Sequence, residues 1–229
     1  MKEYWKGFRD GLPIGLGYFS VSVAFGVAAA QAQVPIWAAV LISMTNLTSA
    51  GQLAGLEVIQ GLGGFLEMAL VQLIINLRYA LMSITISQKL KEGVRPFERL
   101  IIAFGNTDEI FALSTSRKEP LSPAYFYGLM TLPWICWSGG TLVGASASAL
   151  LPVSVLSALG IAIYGMLVAV VVPAMKKSLA VVGVVAVAVG LSCVFKWVPK
   201  VNELSGGFAI IICAVVAAVV GAVLRPVED

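Results

Sequence analysis

LVQLIINLRYALMS, residues 70 to 83, sets an asparagine and an arginine into the middle of an otherwise apolar run. A charged side chain at the centre of a hydrophobic span costs roughly 2.5 to 3.5 kcal/mol on insertion scales, so Arg78 is expected to face a polar cavity or a partner rather than lipid. The rest of the chain fits a membrane setting. Hydrophobic residues make up 59% of it and charged ones 12%, with a mean hydropathy of +0.94, which leaves too little polar surface to clothe a soluble globule of 229 residues.

The net charge of +3 comes without a basic arm, so no nucleic-acid partner is implied. Cys136, Cys193 and Cys213 all lie inside apolar runs and read as small hydrophobes rather than disulfide or metal ligands. The first apolar run ends in AAAQAQ, which imitates a signal-peptide cleavage site. Its length and glycine content, and the spans that follow it, favour an uncleaved first helix.

Apolar segments fall near residues 12–32, 36–58, 65–88, 100–113, 122–150, 153–174, 178–197 and 205–224. A helix needs about 20 residues to cross the hydrocarbon core, so the fourth is too short for a comfortable crossing. The second contains SMTNLTSAGQLAG, residues 43–55, whose Asn46, Thr48, Ser49, Gly51 and Gln52 predict a break. Irregular backbone at that depth is tolerated only where protein or a water-filled cavity satisfies the freed peptide groups.

Basic residues choose between topologies, because cytoplasmic loops collect them. If segments two and four each dip in and return, the inside holds the basic residues of the N-terminus, of 89–99, of 117–118 and of 176–177, together with Arg225. Only Lys196 and Lys200 then stand outside. If both segments cross, Lys89, Lys91, Arg95 and Arg99 move outside and the asymmetry largely vanishes. The expected fold is therefore all-α: a polytopic integral membrane protein with one transmembrane domain over 1–229, six full spans, two re-entrant or broken segments and both termini cytoplasmic.

Polar residues cluster at membrane depth as Asn46 to Gln52, Glu57 with Glu67, Asn76 to Tyr79, and Asn106 to Glu109 in FGNTDEIFAL. Asp108 and Glu109 are placed to meet Arg78 in one cavity. The guanidinium fork matches a carboxylate in two parallel hydrogen bonds, which suits capture of an amino or organic acid. Asn46, Ser49, Gln52, Asn76, Arg78 and Tyr79 are the candidate substrate-binding residues, and Asp108, Glu109 and Glu67 the candidates for ion pairing and proton coupling. Gly140 and Gly144 have the small-xxx-small spacing of closely packed membrane helices, while Pro13, Gly15 and Gly17 are expected to bend the first span. With no histidine and no phosphate-binding GxxxxGK[ST] loop, zinc-protease and Ser-His-Asp chemistry are excluded, and neither an enzyme nor a cofactor is expected.

GLPIGLGYFSVSVAFGV, TSAGQLAGL, NLRYALMS and GNTDEIFAL together resemble the AzlC family, the large subunits of branched-chain amino acid exporters. The resemblance implies a secondary transporter of the bacterial cytoplasmic membrane that exports small aliphatic amino acids with a small AzlD-type membrane subunit. It places the family's asparagine-x-arginine motif on Asn76 and Arg78, its alanine-glycine-glutamine element on Ala50, Gly51 and Gln52, and its acidic pair on Asp108 and Glu109. Many relatives have histidine where this chain has Tyr79, so a proton role for that histidine does not carry over. A channel for a small polar solute and a non-transporting scaffold subunit are the competing readings.

Overall fold

A computed structural model describes residues 1–148, 150, 152–201, 204 and 206–224. Among them there are eleven helices and no strand, only an isolated bridge between Leu90 and Leu121. The helices are α1 (Lys2–Asp10), α2 (Leu12–Gln31), α3 (Ile36–Thr45), α4 (Ser49–Gln60), α5 (Phe65–Lys89), α6 (Pro96–Phe104), α7 (Asp108–Ser116), α8 (Pro123–Ala147), α9 (Val153–Lys177), α10 (Leu179–Trp197) and α11 (Gly206–Leu224). Every expected apolar segment is present, and the second and fourth are each split in two, α3 from α4 and α6 from α7.

Among the described residues, α2, α5, α10 and α11 are long and apolar enough to cross a bilayer. The expectation was six full spans. α8 and α9, at 25 residues each, have the length, but α8 carries Tyr, Trp, Ser, Thr and Gly where the other four are mainly aliphatic. The reason lies in packing, since α8 is the post on which its body is assembled and much of it faces protein.

The chain forms two compact bodies, residues 1–52 with 77–163 and residues 53–76 with 164–229. In the first, α1 and α2 run alongside α8. A Cβ on Gly7 or Gly11 would strike the backbone of Tyr125 or Leu129, and one on Gly128 the backbone of Tyr4. Further along, Gly140 and Gly144 press on Phe19 and Val23 of α2, and Gly26 presses on Thr141 and Ala145. The small-xxx-small spacing thus acts as expected, letting two backbones touch. α1 and α2 adjoin at Gly11, whose backbone is helical and continues the hydrogen-bond ladder from Gly7 to Gly15. Pro13 sits in the first turn of α2, where its missing N–H breaks no helical bond.

α3 folds back from α2 and stops partway along α8, where the Trp134 Nε1–H donates to the Met44 carbonyl at 2.9 Å and Ser43 and Thr141 share a hydrogen bond of 2.7 Å. At the other end of α8, Ile86, Ile102, Ile110, Leu121, Tyr125, Phe126 and Leu129 form a buried core shared by α5, α6, α7 and α8. In the second body, the short Gly61–Gly64 turn makes α4 and the first half of α5 a hairpin. Ala54 and Val58 pack there on Val71, with Ile210 and Ile211 of α11 beside them.

Gly144→Val should force apart the α2–α8 contact, since its first side-chain carbon already meets the Val23 backbone. The expected destabilisation is about 1–3 kcal/mol, the usual cost of overpacking, read as a lowered unfolding temperature in detergent. Gly17→Ala, which enters open space, should leave that temperature unchanged or raise it.

Candidate functional site

Proline and capping chemistry start the short helices that build the site. Pro96 opens α6, and the Arg95 N–H donates to Glu98 Oε2 at 2.9 Å, as in a capping box. α6 then runs along α5, with Arg99 donating to Ser87 and Asn106 Nδ2 to Ser83 Oγ at 3.3 Å. The helix ends at Gly105. Thr107, in extended conformation, caps α7 by accepting from the Ile110 N–H. α7 heads back the way α6 came: Asp108 at its start pairs with Arg78, and Lys89 donates to the Thr115 and Arg117 carbonyls at its end. The fourth segment therefore dips beside α5 and returns to the end where it entered. The ammonium of Lys89 holds it there by satisfying two of the carbonyls that a helix C-terminus leaves open.

The break between α3 and α4 is built alike. Asn46 is extended, with φ −141° and ψ 100°, and Thr48 caps α4 by accepting from the Gly51 N–H at 3.2 Å. Gln52, 3% exposed, donates to the Asn46 and Ile42 carbonyls at 2.6 and 3.4 Å, closing the end of α3. Thus Asn46–Thr48 and Asn106–Thr107 each end one half-helix and cap the next through a buried threonine.

Both breaks meet α5, and the second also meets α2. Arg78 donates from Nη1 to Asp108 Oδ1 at 2.9 Å, and its Nη2 lies 2.8 Å from Oδ2, a two-pronged fork. Nη2 also donates to the Tyr79 hydroxyl at 3.2 Å, and the Tyr79 phenol faces Thr48 of the first break. On α2, Tyr18 donates to Glu109 Oε2 at 2.5 Å and faces Thr107 of the second. By helical rise Arg78 stands about 16 Å from Lys89 along α5, far from the headgroups on that side. The Arg78 and Asp108 side chains remain 42% and 35% exposed.

Of the candidate residues, Asn46, Ser49, Gln52, Arg78, Tyr79, Asp108 and Glu109 all belong to the first body and to the two breaks or the helices lining them. Asp108 takes Arg78, whereas Glu109 takes Tyr18, so the acidic pair divides its partners. Asn76 belongs to the second body, where its amide donates to Gln72 at 3.0 Å. Glu67 also belongs to the second body, 6% exposed, with its carboxylate against Gly63 and Gly207 in the first turn of α11. A carboxylate there is complemented by the helix dipole. Tyr18, Thr48 and Thr107 complete the site and were not among the sequence candidates. Their signal was faint: Tyr18 precedes Asn46-x-Thr, and Tyr79 precedes Asn106-Thr, at nearly equal intervals. α2 and the later half of α5 run in opposite directions: Gly7 and Gly26 meet Tyr125 and Thr141 of α8 in chain order, whereas Lys89, at the end of α5, accepts from Leu121 just before α8 begins.

An all-helical chain with membrane-length apolar helices, paired helix breaks and an internal ion pair defines a polytopic membrane protein of the transporter-related class. The chain belongs to the AzlC family. The profile of that family, described as AzlC protein, matches residues 13–151, which holds every element of the site. An uncharacterized membrane protein of Archaeoglobus fulgidus is 31% identical over 173 residues, 75% of each chain. Inner membrane protein YgaZ of Escherichia coli is 26% identical over 153 residues, 65% of this chain and 62% of its own. An uncharacterized membrane protein of Helicobacter pylori is 24% identical over 152 residues. No solved structure matches.

Replacing Arg78 by Leu leaves the Asp108 carboxylate without its cation, and Asp108→Asn leaves the guanidinium without its anion. The double variant should be more stable than the two single losses predict, with a coupling on the order of 1 kcal/mol where detergent lets water reach the fork. Thermal unfolding of the four proteins measures it, and strict additivity would deny the pair any energetic role.

Proposed function

We propose that this chain is a secondary transporter that exports small aliphatic, branched-chain amino acids across the cytoplasmic membrane, working with a small AzlD-type membrane subunit. The observation that carries the reading is the Arg78–Asp108 fork, set at the start of a re-entrant half-helix and partly open. Two charges so far below the headgroups require a hydrated vestibule. An amino acid offers what each half of the fork lacks when parted: a carboxylate for Arg78 and an ammonium for Asp108. The substrate exchanges one ion pair for two others, and its aliphatic side chain lies on neighbouring apolar residues. The first-turn amides of α4, whose opening residues Ser49, Ala50 and Gly51 carry no acid, add donors for the carboxylate.

Glu109 has a different duty. It has a tyrosine rather than a cation as its partner, and we assign proton coupling to it on that geometry. The cluster of Lys89, Lys91, Arg95, Arg99, Arg117 and the N-terminal cations marks the cytoplasmic end by the positive-inside rule. Export as the direction, the branched-chain preference and the partner subunit follow from family kinship alone.

The test is counterflow of labelled leucine in liposomes holding this chain with and without the small subunit, under imposed pH gradients. Saturable exchange is expected. Arg78→Lys should lower it more than about ten-fold, because a point charge cannot reproduce the paired hydrogen bonds. Glu109→Gln should abolish the response to the pH gradient. Near-wild-type exchange by a well-folded Arg78→Lys protein would overturn the fork's role, and flux without counterflow would make the protein a channel.

A further inference from the structure

We infer that the outer face of α1 is a docking surface for anionic lipid, gripping the phosphate-bearing headgroups of the leaflet at the basic end of the protein. The helix sorts its charges by face. Met1, Lys2, Trp5, Lys6 and Arg9 are exposed, following helical spacing, whereas Gly7 is buried on α8. Both acidic residues of α1 turn toward protein: Asp10 accepts from the Tyr125 hydroxyl at 2.8 Å, and Glu3 lies 3.8 Å from Arg117. Of the three cations only Lys6 has an acidic partner among the described residues, Glu119 at 3.9 Å, and both of those side chains are more than half exposed. The protein thus consumes the negative charge of α1 and leaves the positive charge facing out.

Position supports the same conclusion. Gly11 is helical, with φ −77° and ψ −12°, and its N–H and carbonyl continue the hydrogen-bond ladder from Gly7 to Gly15. α1 therefore prolongs the apolar α2 along its axis. By helical rise Arg9 stands about 4 Å, Lys6 about 9 Å and Trp5 about 10 Å beyond Leu12, while the headgroup layer of one leaflet is roughly 5–8 Å deep. The cations and the indole, 57% exposed, fall in and just above that layer. Lysine and arginine side chains reach back along their stems to phosphate, and tryptophan favours this depth. The close glycine contacts on α8 fix the face, so binding orders little further chain.

The probe is phosphatidylglycerol brominated near the headgroup, compared with equally brominated phosphatidylcholine, in nanodiscs holding the full chain. The Trp5 signal is the fluorescence difference between wild type and Trp5→Phe. It should be quenched at a lower fraction of phosphatidylglycerol than of phosphatidylcholine. Each cation near an anionic surface is worth about five-fold in affinity, so Lys6→Gln with Arg9→Gln should erase most of a preference of about twenty-fold. Lys6→Arg with Arg9→Lys should keep it, and raised salt should weaken it in wild type without any substitution. Equal quenching by the two lipids in wild type, or a preference unmoved by both neutralisation and salt, would overturn the inference.

Discussion

A guanidinium and a carboxylate held in register inside a membrane protein constrain everything around them. Arg78 is carried by a helix long enough to span the bilayer, and Asp108 by the first residue of a nine-residue helix that ends well short of spanning it. For the two to meet, the second helix must begin near the depth of the first one's middle. That demand explains the break at Gly105–Thr107. It also explains why α6 and α7 are short, and why Lys89 reaches over to fasten the far end of α7. Pulling Asp108 away leaves each charge without its partner. The return of the hairpin to its own side is thus tied to one pair of hydrogen bonds.

A helix interrupted at membrane depth exposes backbone groups that lipid cannot satisfy. The chain meets this need locally. Thr48 and Thr107 accept from amides in the first turns of α4 and α7, and Gln52 and Trp134 donate to carbonyls at the end of α3. Each repair uses a side chain that a lipid-facing helix would avoid. Much of the polar content of residues 43–52 and 105–109 is therefore explained by backbone satisfaction.

The apolar segments and both breaks can be read from the amino-acid sequence because hydrophobic run length and clustered polar residues are local signals. Arg78 with Asp108 was legible too, since a lone cation in an apolar run must find an anion. The separation of Glu109 from Asp108 was not, because adjacent residues leave a helix 100° apart and only the position of α2 decides that Tyr18 receives the second one. Glu67 and Asn76 belong to the second body, where the Glu67 carboxylate lies at the start of α11 and the Asn76 amide donates to Gln72 of its own helix, contacts that depend on the fold and leave no mark in a local window of sequence.

The two breaks are alike in build and unlike in charge. Both half-helices present amide groups at their capped starts, and both sit against a tyrosine from a neighbouring helix. Yet α7 opens with Asp108 and Glu109, while α4 opens with Ser49, Ala50 and Gly51. One helix start is already matched by its own carboxylates and the other is not. The two helix starts are therefore electrostatically unlike, one met by acidic side chains of its own first turn and the other left with its positive dipole end uncompensated by any acid of its own.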